Sequence, residues 1–134
     1  MKRLAALLLA VGAAACWSSD IIIDPTSSSI AATYALTSQS RSTTALPDTY
    51  IFIQLATDSI TFDDAGQWTR TYTGIEGNAS GTHPTFGANS GTYTRLGRQI
   101  TMRTAAGGPF AVVFFDGEGL DRHDPYFNFR YRRL

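Results

Sequence analysis

SITFDDAGQWTRTYT, from Ser59 to Thr73, decides the fold. Ile60 and Phe62 alternate with Thr61, and after a short break Trp68, Arg70 and Tyr72 alternate with Thr69, Thr71 and Thr73. That repeat has period two, the signature of a strand with one face inward and one outward, and not the 3.6 of a helix. Between the halves, Asp63-Asp64-Ala65-Gly66 has the composition of a hairpin turn, with a glycine free to take positive φ. The stretch reads as two antiparallel strands and a tight reversal.

The same grammar runs outward in both directions. Upstream, Ala32, Tyr34 and Leu36 alternate with Thr33, Ala35 and Thr37, and Ile51, Ile53 and Leu55 alternate with Phe52 and Gln54. Downstream, Tyr93 lies in a fifth strand that Leu96-Gly97 turns into Ile100 and Met102. The breaker Ala105 to Pro109 precedes an apolar run from Phe110 to Phe115, and Asp116-Gly117-Glu118-Gly119 turns the chain again. Phe127, Phe129 and Tyr131 then alternate with Asn128, Arg130 and Arg132. No segment after residue 30 sustains a helical stripe, and the residues after position 15 hold seventeen Thr, sixteen aromatics and only six Leu. These are strand formers more than helix formers.

The expectation is an all-β domain over residues 31–134, with eight strands of about six residues in an up-and-down antiparallel barrel. Closure removes the exposed edges that a domain without lysine has few means to guard. A two-sheet β-sandwich is the alternative. Two connections read as long and polar, Gln39 to Asp48 and Ile75 to Asn89. Loops of that length are where lids and binding segments are found.

The first residues are of another kind. MKRLAALLLAVGAAA begins with Lys2 and Arg3, continues in an apolar run from Leu4 to Val11, and ends in small residues, as export signals do. Cys16, the single cysteine, follows Ala13-Ala14-Ala15. This resembles the lipobox of bacterial lipoproteins, with Ala13 standing where that family prefers a leucine-like residue. The resemblance implies cleavage after residue 15 (signal peptide 1–15), diacylglycerol on the Cys16 sulfur, and an acylated new amino terminus, palmitate being a typical chain. Residues 16–30 then form the lipidated Cys and a Ser- and Asp-rich tether around the apolar knot Ile21 to Ile23. The expected partner is the membrane, reached through lipid. Trp17 stands where an Asp would, by resemblance to enterobacterial sorting, signal inner-membrane retention, so the expected address is the outer membrane of the cell envelope.

Cleavage would leave nine Arg against eleven acids, a net charge of −2. No cationic excess remains to displace counterions from phosphates, which argues against nucleic acid as a partner.

Tyr34-Ala35-Leu36-Thr37-Ser38, Leu46-Pro47, the Ser59 to Trp68 stretch, Gly91-Thr92-Tyr93-Thr94 with Gly97-Arg98-Gln99-Ile100-Thr101, and Phe129-Arg130-Tyr131-Arg132 together resemble the small lipocalin-like domains carried by many bacterial lipoproteins. The resemblance covers nearly all of residues 31–134 and implies a short eight-stranded barrel whose ligands are mostly unassigned. Gly66-Gln67-Trp68 spells the G-x-W of true lipocalins, but theirs opens the first strand and this one falls in the fourth segment counted here, so the match is set aside.

Candidate chemistry is sparse. Trp68, Arg70 and Tyr72 form the candidate ligand-binding set: a guanidinium among aromatics facing inward needs a partner, supplied by a bound carboxylate or phosphate, by an internal acid, or by water at the barrel mouth. Asp116, Glu118, Asp121, His123 and Asp124 are the densest polar cluster, but match no EF-hand spacing and read as turn residues, so no metal is expected. His83 has only Glu76 near it in sequence, and no G-x-S-x-G elbow occurs, so neither an enzyme nor a cofactor is expected. The functional expectation is a lipid-anchored envelope barrel that takes a small apolar or amphipathic ligand. The alternative is a solid-core structural or protein-interaction lipoprotein with no ligand.

Overall fold

A computed structural model describes residues 28–42 and 52–134. Cys16, the signal segment, the Ile21 to Ile23 knot and Leu46-Pro47 lie outside the described residues. The elements are β1 (Ala32–Arg41), β2 (Phe52–Phe62), β3 (Gln67–Asn78), β4 (Gly81–Leu96), β5 (Gln99–Thr104), β6 (Pro109–Phe115), β7 (Gly119–His123) and β8 (Phe127–Arg133). Each strand pairs antiparallel with the next, and β1 pairs with β8, so the sheet closes into an eight-stranded up-and-down barrel. The sandwich alternative is excluded by that closure.

The count of eight stands, but its members differ from those read in sequence. Ile53 to Leu55 and Ile60 to Phe62 belong to one strand, β2, which continues through a register shift between Leu55 and Thr57. Trp68 therefore lies in the third strand. The expected long loop from Ile75 to Asn89 is instead the far end of a hairpin in which Gly74 pairs with Thr85 and Asn78 with Gly81. It projects past the barrel, where β4 between Thr82 and Ser90 has β3 as its only strand partner and where Ile75 and Phe86 stand exposed. With no buried apolar face, the core-strand signal is lost although the strand persists. Gln39 to Arg41, read as the start of the other crossover, continue β1. The eighth strand comes from β7, which the turn-rich composition around Asp121 concealed.

Antiparallel order places the turns at 63–66, 97–98 and 116–118, with the first described residues and the C-terminus, at one end of the barrel. The turns at 79–80, 105–108 and 124–126 lie at the other. The first end is solid. Tyr34, Ile60, Phe62, Ile100, Met102, Val113, Phe115, Leu120 and Tyr131 are almost wholly buried, and Ile30 joins them from ahead of β1. The Tyr34 hydroxyl donates to the Ile30 carbonyl at 3.0 Å, tying that plug in place. Tyr34 meets Phe62 and Phe115 edge-on at 6.0 and 6.3 Å between centroids, geometry that favours aromatic pairs.

On the outer face threonines pair across strands: Thr33 with Thr61 at 2.8 Å, Thr57 with Thr73 at 2.7 Å, and Ser59 with Thr71 at 3.2 Å. Inside, the Trp68 indole N–H is shared between the carbonyls of Thr92 and Arg103, at 3.0 and 2.9 Å. Opposite Trp68 stands Gly91, where a Cβ would run into the Arg103 carbonyl. Gly91→Ala is expected to force β4 and β5 apart and lower stability by about 2 to 3 kcal/mol, as overpacking does. Gly108→Ala, whose Cβ would meet only the Thr104 hydroxyl at 3.5 Å, is expected to be mild. Urea unfolding of the two variants checks the contrast.

Candidate functional site

Alternation along β3 puts Trp68, Arg70 and Tyr72, read as sharing one face, inside the barrel, with Trp68 and Arg70 buried and Tyr72 half-buried. The structure supplies the partner that Arg70 requires, and it is an internal acid. Arg70 Nε donates to Asp58 Oδ1 at 2.8 Å, and Nη2 to Asp58 Oδ2 at 2.7 Å. The Tyr131 hydroxyl donates to the same Oδ2 at 2.7 Å. Asp58 is 3% exposed, so both oxygens are satisfied by protein alone. The Arg70 guanidinium also lies 4.5 Å from the centre of the Tyr72 ring, which rests where Gly87 leaves room for it.

Asp58 faces inward because β2 changes parity. Ile53 and Leu55 are odd-numbered and inward; the extra residue at Ala56 sends Thr57 out and Asp58, Ile60 and Phe62 in. A β-bulge re-aims side chains in this way. β1 shifts at the same level, between Leu36 and Ser38. Ladder pairing of β1 with β2 stops at Ala35 and Ser59. Across the opened seam the Gln39 carboxamide acts as a rung: its Nε2 donates to the Ile53 carbonyl at 3.0 Å, and its Oε1 accepts from Leu55 N at 3.0 Å.

The pair Asp58–Arg70 is the floor of a cup. Above it two adjoining hollows, of about 240 and 380 Å³, share Arg70, Arg122 and Asp124. The smaller is walled by Ile53, Leu55, Tyr72, Phe127 and Phe129, the larger by Phe110 and Ala111. The cup opens between the turns at 105–108 and 124–126, opposite the plug at Ile30. Its size and its mix of apolar wall with a few convergent polar groups are those of small-molecule sites.

Arg122 is the residue that the sequence reading passed over. It projects inward from β7, 9% exposed, with its guanidinium 4.1 Å from the centre of the Phe129 ring. Its nearest carboxylate contact is Asp124 Oδ2 at 3.7 Å, too long for a hydrogen bond. Burial lowers its pKa, and the charge of Arg70 adds to that. Arg70 behaves oppositely: burial works against its charge, but the hydrogen bonds and charge of Asp58 outweigh it and raise its pKa. The Tyr131 phenol is pushed well above its ordinary range, first by burial and then by Asp58, against the opposing charge of Arg122. The signal for Arg122 was in the sequence, since Leu120 and Arg122 alternate with Asp121 and His123.

The other candidates do not converge on the cup as a set. Asp116 Oδ1 accepts from Glu118 N and Gly119 N at 3.0 and 2.8 Å, capping its turn. Asp116 and Asp121 both pair with Arg130 on the outside of β8. Asp124 Oδ1 accepts from Tyr126 N and Phe127 N at 2.8 and 2.7 Å. Among the described residues no group of three His, Cys, Asp or Glu side chains is arranged to hold a metal. At the exposed hairpin tip, Ser80 Oγ lies 3.1 Å from His83 Nε2, but it donates to Asn78 Oδ1 at 2.6 Å. That hydroxyl proton is committed to a turn.

No family model, curated protein or solved structure matches the chain.

Removing Asp58 leaves Arg70 buried without a partner, so Asp58→Ala is expected to cost about 3 to 5 kcal/mol, whereas Asp58→Leu combined with Arg70→Met recovers most of that. Chemical denaturation of the single and double variants measures it. A second expectation concerns alkali. Below the ordinary phenol value of 10.0 Tyr131 is protonated in both folded and unfolded chains. Above it only the unfolded chain ionises freely, so stability falls as pH rises past about 10. Tyr131→Phe is expected to make that decline shallower, read from unfolding curves on either side of that pH.

Proposed function

We propose that this chain is a lipid-anchored envelope protein, lipocalin-like in build, whose half-open barrel binds a small amphipathic ligand. The observation that carries the reading is the cup. A barrel of eight strands is just wide enough to be filled by its own side chains or to hold one small molecule, and here the two conditions divide the interior. Below Asp58 and Arg70 aromatic and aliphatic side chains fill it; above them Ile53, Leu55, Tyr72 and Phe127 surround open space beside buried cations.

The anchoring half of the proposal rests on the signal-like start and on Cys16, with the outer membrane as the proposed address. It is supported by the direction in which the chain enters the barrel. Ser28 to Ala31 lie at the solid end, held by Arg133, which donates to the carbonyls of Ser29 and Ala31 at 3.3 and 3.2 Å. On this reading a tether would join the barrel at the end opposite the cup.

The solid lower half is what favours the second reading, a scaffold with no ligand. Native mass spectrometry of the full chain carrying Cys16→Ser, purified without detergent, separates the two. A co-purifying small molecule that is lost in Leu55→Arg, which blocks the cup, is the expected result. A bare mass, together with no binding of an environment-sensitive apolar dye, would leave the scaffold reading standing.

A further inference from the structure

The cup holds two buried guanidinium groups, of which only Arg70 is hydrogen-bonded to a carboxylate. Both Asp58 oxygens are engaged, Oδ1 by Arg70 and Oδ2 by Arg70 and Tyr131 together, and neither is hydrogen-bonded to Arg122. Asp124 spends Oδ1 on two backbone N–H groups and stands 3.7 Å from Arg122 with the other oxygen. Glu76 is the remaining acid on the cup wall, out on the projecting hairpin and paired across the ladder with His83. The acids other than Asp58 thus belong to the rim. The floor carries two guanidinium groups, Arg70 bonded to Asp58 and Arg122 in a looser ion pair with Asp124, with the Phe129 ring against one face of Arg122.

A guanidinium so placed has its donors turned to a hollow bounded by apolar groups. Water satisfies them poorly in a narrow, partly desolvated space, whereas an anion satisfies them with charge-assisted bonds about twice as strong as neutral ones. The planar fork of Arg122 matches the two oxygens of a carboxylate or of a phosphate monoester. Above it, Ile53, Leu55 and Phe127 offer a surface for a hydrocarbon tail on the way to the mouth.

From this juxtaposition we infer that the ligand of the cup is an anionic amphiphile, a carboxylate or phosphate monoester with a short alkyl or aryl tail, its head seated against Arg122 and its tail directed toward the mouth. Arg70 is held and neutralised by Asp58, so the charge that the floor offers to a ligand is that of Arg122. The inference rests on the binding function proposed above and names its ligand class.

Calorimetric titration of the full Cys16→Ser chain with octanoate, octyl phosphate, octan-1-ol, octylammonium and inorganic phosphate tests it. At least one tailed anion is expected to bind about tenfold or more tightly than the alcohol or the ammonium, the margin that hydrogen bonds to a charged group supply. Arg122→Gln is expected to erase that preference and Arg122→Lys to keep part of it, each with melting checked. If octan-1-ol matches both anions in the unaltered cup, the ligand class is wrong while the cup remains a binding site. Binding of octylammonium in preference to both anions overturns the inference in the same way, with the rim acids as the recognising groups. Inorganic phosphate bound as tightly as octyl phosphate removes the role of the tail and also overturns it. If none of the five binds, the ligand class fails, and the binding function is judged separately by the co-purification result.

Discussion

The Asp58–Arg70 ion pair is the constraint on which the rest of this barrel turns. An unpaired charge in a barrel interior costs several kcal/mol, so neither residue is tolerable there without the other. Meeting that condition fixes the register of β2 on β3, since Asp58 lies across the ladder from Tyr72 and one step from Arg70's own partner, Ile60. It also fixes Tyr131, whose hydroxyl completes the carboxylate, and with it the inward face of the closing strand β8. Three strands are thereby tied through a single polar node, and the hydrophobic interior is divided into a filled half and an open one.

Much of this was legible in the residues and some was not. Ser59 to Thr73 specified a hairpin with Trp68, Arg70 and Tyr72 on one face, and its turn is as read. The closing strand was equally plain, because Phe127, Phe129 and Tyr131 alternate with polar residues. The parity change in β2 was visible as well: Ile53 and Leu55 are odd-numbered, while Ile60 and Phe62 are even-numbered. Read as two strands, that change hid the inward turn of Asp58; read as one strand with a bulge, it would have supplied Arg70's partner. Period-two reasoning failed outright where the physical premise fails, along the projecting part of β3 and β4. There Ile75, Pro84 and Phe86 stand on the exposed face and Glu76, His83 and Thr85 on the other, the reverse of a core strand, so Thr82 to Ser90 looked like loop.

The bulges in β1 and β2 have a shared consequence. Each inserts a residue at the level where the ion pair sits, and there the two strands part. A barrel that loses ladder bonds must satisfy the exposed backbone groups in another way. Gln39 does so with one side chain that offers both a donor and an acceptor, taking the Ile53 carbonyl and the Leu55 amide together. The wall of the cup beside Ile53 and Leu55 is therefore closed by a carboxamide and not by a strand. Side-chain rungs restrain a seam with fewer bonds than a ladder, which makes this the softest part of the wall among the described strands.

Stability alone is a poor account of why the barrel holds these charges. A buried ion pair replaced by well-packed apolar residues is often no less stable, and the lower half shows that this barrel has the aromatic and aliphatic residues to fill itself. Arg122 strengthens the point. It adds a second guanidinium beside the first, lacks a hydrogen-bonded carboxylate of its own, and depends on the Phe129 ring and on groups at the edge of the cup. A leucine at that position would extend the solid core upward at no electrostatic cost. The charges are instead gathered at the one level where the filled interior gives way to open space.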